Sequence, residues 1–90
     1  MTVLEQVRAI ALLLPEAEER ATDGGAEFYV AGTPFATVSG TTPEVVRVRD
    51  ASGEVSITLD TDVDWVLVED RIARSWELTA PRRLLEAGGR

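Results

Sequence analysis

Ninety residues carrying a net charge of −7 make a chain of single-domain size. It has no cysteine and no histidine, which excludes disulfides, thiol nucleophiles, imidazole bases and the commonest zinc and iron–sulfur ligand sets. All nine basic residues are arginine, against sixteen acids, so the overall field repels phosphate backbones unless arginines gather locally.

No apolar run approaches the roughly 18 residues that span a bilayer. The opening Met1-Thr2-Val3-Leu4-Glu5 lacks the basic start of a signal peptide. A cytoplasmic chain with no membrane segment is expected.

The first element reads as a helix. Thr2 and Glu5 form a Thr-x-x-Glu capping box. Val3, Val7, Ile10 and Leu14 follow at helical spacing, with Leu4, Ala11 and Leu13 widening the stripe. Pro15 stops it. Residues 16–20 and Gly24-Gly25 read as a solvated connector. Residues 27–31 alternate as a strand, with Phe28 and Val30 on one face and Tyr29 on the other. Gly32 turns the chain into a return strand over residues 33–39, whose Pro34 suggests an edge or a strand end. Residues 40–43 form a turn.

Residues 44–49 read as a third strand, with Val46 and Val48 on one face and Arg47 and Arg49 on the other. Asp50-Ala51-Ser52-Gly53 is a hairpin connection to a fourth strand, whose inward set is Val55, Ile57 and Leu59. Helical period then returns in Trp65, Val68, Ile72 and Trp76, capped by Asp62 or Asp64. Pro81 either ends this helix or opens a short one over residues 81–87, before Gly88-Gly89. The expected fold is one α+β domain over residues 1–90. Its order is α-β-β-β-β-α, a four-stranded antiparallel sheet with the N- and C-terminal helices packed on one face.

Few side chains suggest chemistry. Asp60-Thr61-Asp62-Val63-Asp64 resembles the start of a calcium loop, but Trp65 stands where glycine belongs and Arg71 where the bidentate glutamate belongs. These carboxylates read better as a strand end and a helix cap. Glu18-Glu19 and Glu69-Asp70 are sequence neighbours, which on a helix do not face a common site. Trp65 and Trp76 lie three helical turns apart, a core spacing. No enzyme, cofactor or metal site is expected.

The arginines form two groups. Arg47 and Arg49 share one strand face, the open one if the helices cover Val46 and Val48. Arg82 and Arg83 follow Pro81, beyond Arg71 and Arg74 on the last helix. Such guanidinium pairs can grip phosphate or carboxylate. Equally, they can solubilise a surface through ion pairs with neighbouring acids such as Glu44, Glu54 and Glu86.

Several segments together resemble the MmcQ/YjbR family of small frataxin-like, or double-wing, domains. Residues 7–16 and Glu18-Glu19 are similar to its opening helix and Leu-Pro exit. Phe28-Tyr29-Val30-Ala31-Gly32 and Pro34-Phe35-Ala36-Thr37-Val38 are similar to its first hairpin. Ser75-Trp76-Glu77-Leu78-Thr79-Ala80-Pro81-Arg82-Arg83-Leu84 is similar to its closing helix and Ala-Pro-basic-basic-Leu tail. The chain departs from that pattern between the expected third and fourth strands. A plain four-residue turn there replaces the family's short helix and Pro- and aromatic-rich segment. The resemblance implies a DNA-binding role, with Arg47, Arg49, Arg82 and Arg83 as its contacts. The alternative is a protein-interaction module, or a homodimer, acting through the open sheet face, which displays Tyr29 and Val45 beside short hydroxyl residues.

Overall fold

The computed structural model describes residues 3–22, 24–39, 44–59 and 63–86. The elements run α1 (Val3–Ala11), β1 (Ala17–Thr22), β2 (Gly25–Val30), β3 (Thr33–Val38), β4 (Glu44–Asp50), β5 (Gly53–Leu59), α2 (Trp65–Thr79) and α3 (Arg82–Glu86). The class is α+β. The sheet is an antiparallel meander of five strands in the order β1-β2-β3-β4-β5.

The fifth strand corrects the four-stranded expectation. Residues 17–22 are not a solvated connector but pair with β2 along their whole length, Ala17 opposite Val30 and Thr22 opposite Gly25. Their alternation is masked because only Ala17 and Glu19 are even half-buried. An edge strand covered on one side alone needs little apolar residue. The inward carboxylate of Glu19 is matched instead by Arg8 of α1, whose Nε and Nη2 donate to the two carboxylate oxygens at 2.6 and 2.8 Å. This fork pins β1 beneath α1 and holds the Arg8 guanidinium pKa above its ordinary value.

Of the two places that Pro34 suggests for the return strand, an edge or a strand end, the structure has the second: Pro34 is the second residue of a strand that is central. β3 lies between β2 and β4. Its pairing with β4 starts only at Ala36–Val48, so Pro34, which has no N–H, precedes that ladder. The register also shifts between Phe28 and Tyr29. Phe28 faces Ala36 and Tyr29 faces Pro34, leaving Phe35 as the extra residue of a bulge. The bulge turns Phe35 and Ala36 inward in succession, and both are buried.

One face of the sheet carries the core. Ala26, Phe28, Val30, Val38, Val46 and Val48 meet Val7, Ala11, Val68, Ile72 and Trp76 from the helices. α1 packs on β2, and α2 packs on β3 and β4. Helix α1 ends at Ala11, short of Pro15. Trp76 is fully buried and its indole N–H donates to the Pro15 carbonyl at 3.0 Å, which ties α2 to the α1–β1 turn. Trp65 sits at the margin of the core, beside an apolar hollow of about 300 Å³ against Gln6, Ala9 and Ile10. Asp64 caps α2, accepting from the Val66 and Leu67 amides. Thr2, Asp60, Asp62 and the turn over residues 40–43 lie outside the described residues. Among the described residues, no helix is long and apolar enough to cross a membrane.

Candidate interaction face

The sheet face turned away from the core is the surface on which sequence-predicted residues meet. Alternation and register put Glu18, Arg20, Glu27, Tyr29, Thr37, Arg47, Ser56 and Thr58 on it. One row crosses all five strands: Arg20 opposite Glu27, Glu27 opposite Thr37, Thr37 opposite Arg47, and Arg47 opposite Ser56. Tyr29 is fixed from two sides. The Arg20 guanidinium lies 4.3 Å from its ring centroid, a cation–π contact. Its hydroxyl donates to Glu27 Oε1 at 3.1 Å.

Arg47 and Arg49 are exposed on this face. Among the described residues neither guanidinium enters a salt bridge, although Glu54 stands opposite Arg49 in the β4–β5 register. They flank a small hollow of about 70 Å³ between β3 and β4, and Arg49 also borders a shallow one of about 300 Å³ with Asp50, Gly53 and Glu54.

A serine on the helix side sets this geometry. The fully buried Ser75 of α2 donates its hydroxyl proton to the Phe35 carbonyl and accepts from the Arg49 amide at 2.8 Å. It stands just past Ala36–Val48, where the β3–β4 ladder stops. The hydroxyl therefore satisfies two backbone groups that the splayed strands leave unpaired. α2 is stitched to the strand that carries both arginines.

Arg82 and Arg83 do not join that patch. They project from α3, whose Leu84 closes the core. Arg83 forks onto Glu16 at 2.9 and 3.2 Å, and Arg82 lies 3.5 Å from Glu86 one turn on. Hydrogen bonding to Arg83 lowers the Glu16 carboxyl pKa, and Glu16 raises that of Arg83. Asp50 is also lowered, chiefly by the Ser52 hydroxyl and amide, which both reach Oδ1 at 2.8 Å. Both carboxyl shifts favour the ionised carboxylate, the opposite of what a general acid needs.

Sequence reasoning found Tyr29, Arg47 and Arg49 on the open face but missed Glu18, Arg20 and Glu27 as their neighbours. Glu18 and Arg20 escape it because the polar run over residues 16–20 has the composition of a solvated connector. The available signal was Asp23-Gly24, a dipeptide typical of hairpins, here with Gly24 at φ +76°. No family model, no curated protein and no solved structure matches the chain.

Proposed function

We propose that this chain is a non-enzymatic interaction domain that binds another protein through the open face of its sheet. The observation that carries the reading is the charge balance around a fixed aromatic. Glu18, Arg20 and Glu27 stand about Tyr29, and Arg47, Arg49 and Glu54 continue the mixed charge across β4 and β5. Tyrosine and arginine are the residue types that dominate binding energy at protein interfaces. A face of mixed sign with a rigid ring suits a partner of complementary mixed charge.

The DNA-binding role that the MmcQ/YjbR resemblance implies has less support. Of the four arginines expected to contact phosphate, Arg82 and Arg83 are engaged by Glu86 and Glu16. Two remaining contacts correspond to a salt slope of only about −2 in log affinity, and the chain's charge of −7 opposes even that. The absence of histidine and cysteine from the sequence supports the non-enzymatic part of the reading. A cytoplasmic location belongs to the same proposal. It is supported by a composition with no cysteine to oxidise.

The test compares wild type with Tyr29→Ala and Arg47→Ala, both exposed or half-buried positions outside the core. Proteins captured from extract by wild type should be lost with either variant while circular dichroism is unchanged. Duplex DNA titrated at about 50 mM salt, where the phosphate term is strong, should show no binding. Tight DNA binding abolished by Arg47→Ala would replace this reading with the nucleic-acid one.

A further inference from the structure

The sheet ends on two edge strands, β1 and β5. An exposed edge presents unpaired N–H and C=O groups to any strand that fits, and proteins usually blunt it with charge, proline or a bulge. β5 has none of these defences along its middle. Its seven residues are paired in regular register with β4, and its single charge is Glu54 near one end. Its inward residues Val55 and Ile57 stay partly exposed, whereas Val46 and Val48 beside them are buried. The helices pack chiefly on β2, β3 and β4, so that of the inward residues of β5 only Leu59 is fully covered, while Val55 and Ile57 pack against the margin of the core.

We propose that the free edge of β5 pairs with the same edge of a second copy, joining two five-stranded sheets into one. This goes beyond the interaction reading above, because it uses the margin of the sheet rather than its open face. The strand is self-complementary about Ser56. Antiparallel pairing centred there sets Ser56 against Ser56 of the partner copy, Val55 against Ile57, Glu54 against Thr58 and Gly53 against Leu59. All seven residues find a partner. Side chains opposite each other in an antiparallel pair point to the same face, so the four partly exposed aliphatics of the two copies meet on the helix side of the joined sheet. The charged residue meets a hydroxyl. Centring on Ile57 or on Val55 would leave two of the strand's seven residues without a partner. A two-fold axis through Ser56 makes the contact isologous and closed. The same operation on β1 has no such match, because Glu18, Glu19 and Arg20 fill its middle.

Residue 56 is the only strand position that would face its own copy, and the native chain has no cysteine. Ser56→Cys is therefore a direct reporter, with Ser52→Cys on the exposed β4–β5 turn as control. Both are compared under mild oxidation at about 1 mM protein, where millimolar affinity suffices for half-occupancy. Wild type should sediment as a dimer. Ser56→Cys should form a disulfide-linked dimer roughly 100-fold faster than Ser52→Cys, through the effective concentration of a pre-formed pair. Ser56→Lys, which sets two ammonium groups on the axis at an exposed site, should shift wild-type dimer to monomer with its circular dichroism unchanged. Monomeric wild type with equal crosslinking of the two cysteine variants overturns the proposal. So does a dimer that survives Ser56→Lys and does not crosslink through Ser56→Cys, since it must use another surface. Neither outcome touches partner capture through Tyr29, which is read separately from its own variants.

Discussion

β1 and β5 occupy equivalent places at opposite margins of one sheet, yet β1 carries Glu18, Glu19 and Arg20 in succession while β5 carries Glu54 alone. β1 is also held down from both faces. Arg8 grips Glu19 on the helix side, and Arg20 stacks on Tyr29 on the open side. β5 has no comparable clamp among the described residues, and its Val55 and Ile57 pack against the core yet stay partly exposed. A strand that must stay single spends its side chains on charges and ion pairs. The difference teaches that burial and edge chemistry, rather than position in the meander, separate a closed margin from an available one.

That contrast can be broken most sharply by removing side chains on its two sides. Phe28→Ala, fully buried beside β1, should destabilise the domain by about 3–5 kcal/mol in urea unfolding. Ile57→Ala in β5 should cost dilute protein no more than about 2 kcal/mol, the low end for an aliphatic truncation. Equal losses would mean that β5 is as well covered as β2. Ser75→Ala tests whether the splay between β3 and β4 depends on one hydroxyl. Leaving the Phe35 carbonyl and Arg49 amide unsatisfied should cost about 1–3 kcal/mol. It should also speed amide exchange at Arg49 without changing exchange in β1.

Glu19→Ala should produce a smaller effect that is specific to the other margin. Amides of β1 should exchange faster, and the difference from wild type should shrink in about 1 M salt, where surface charges are screened within roughly 3 Å. No change in β1 exchange would show that the Arg8 fork does not guard this edge. The smallest effect concerns the turn that launches β5. The Asp50 carboxyl ionises more readily in the folded state because Ser52 donates to it. A group lowered on folding contributes stability that is fully present above its unfolded pKa, about 4, and is lost as pH falls through the lower folded value. Ser52→Ala should raise the Asp50 value toward about 4 in a carboxylate titration, with little change in stability at pH 7.

Much of this architecture was legible from hydrophobic period. The alternations of Phe28 with Val30 and of Val46 with Val48 place the inward sets of β2 and β4, and Val68, Ile72 and Trp76 mark the buried face of α2. β1 was not legible because its covering partner is an arginine from α1, so its inward position is a glutamate rather than an aliphatic. The central place of β3 was obscured by Pro34, since a bulge and a late-starting ladder are tertiary facts that no local rule reports. The open-face arginines could be read from i, i+2 spacing. The engagement of Arg82 and Arg83 with Glu86 and Glu16 could be read only in part. Glu86 is one turn away in sequence, but Glu16 lies 67 residues from Arg83. The availability of β5 depends on where α2 ends across the sheet, and that is invisible in the strand's own residues.

The pairing of β5 with a second copy is most directly tested by amide hydrogen exchange measured residue by residue at low and high protein concentration. The β5 amides that point away from β4 should gain protection as concentration rises, while the outward amides of β1 exchange at a constant rate. Outward β5 amides whose exchange is independent of concentration, or protection that appears on β1 instead, would contradict the account.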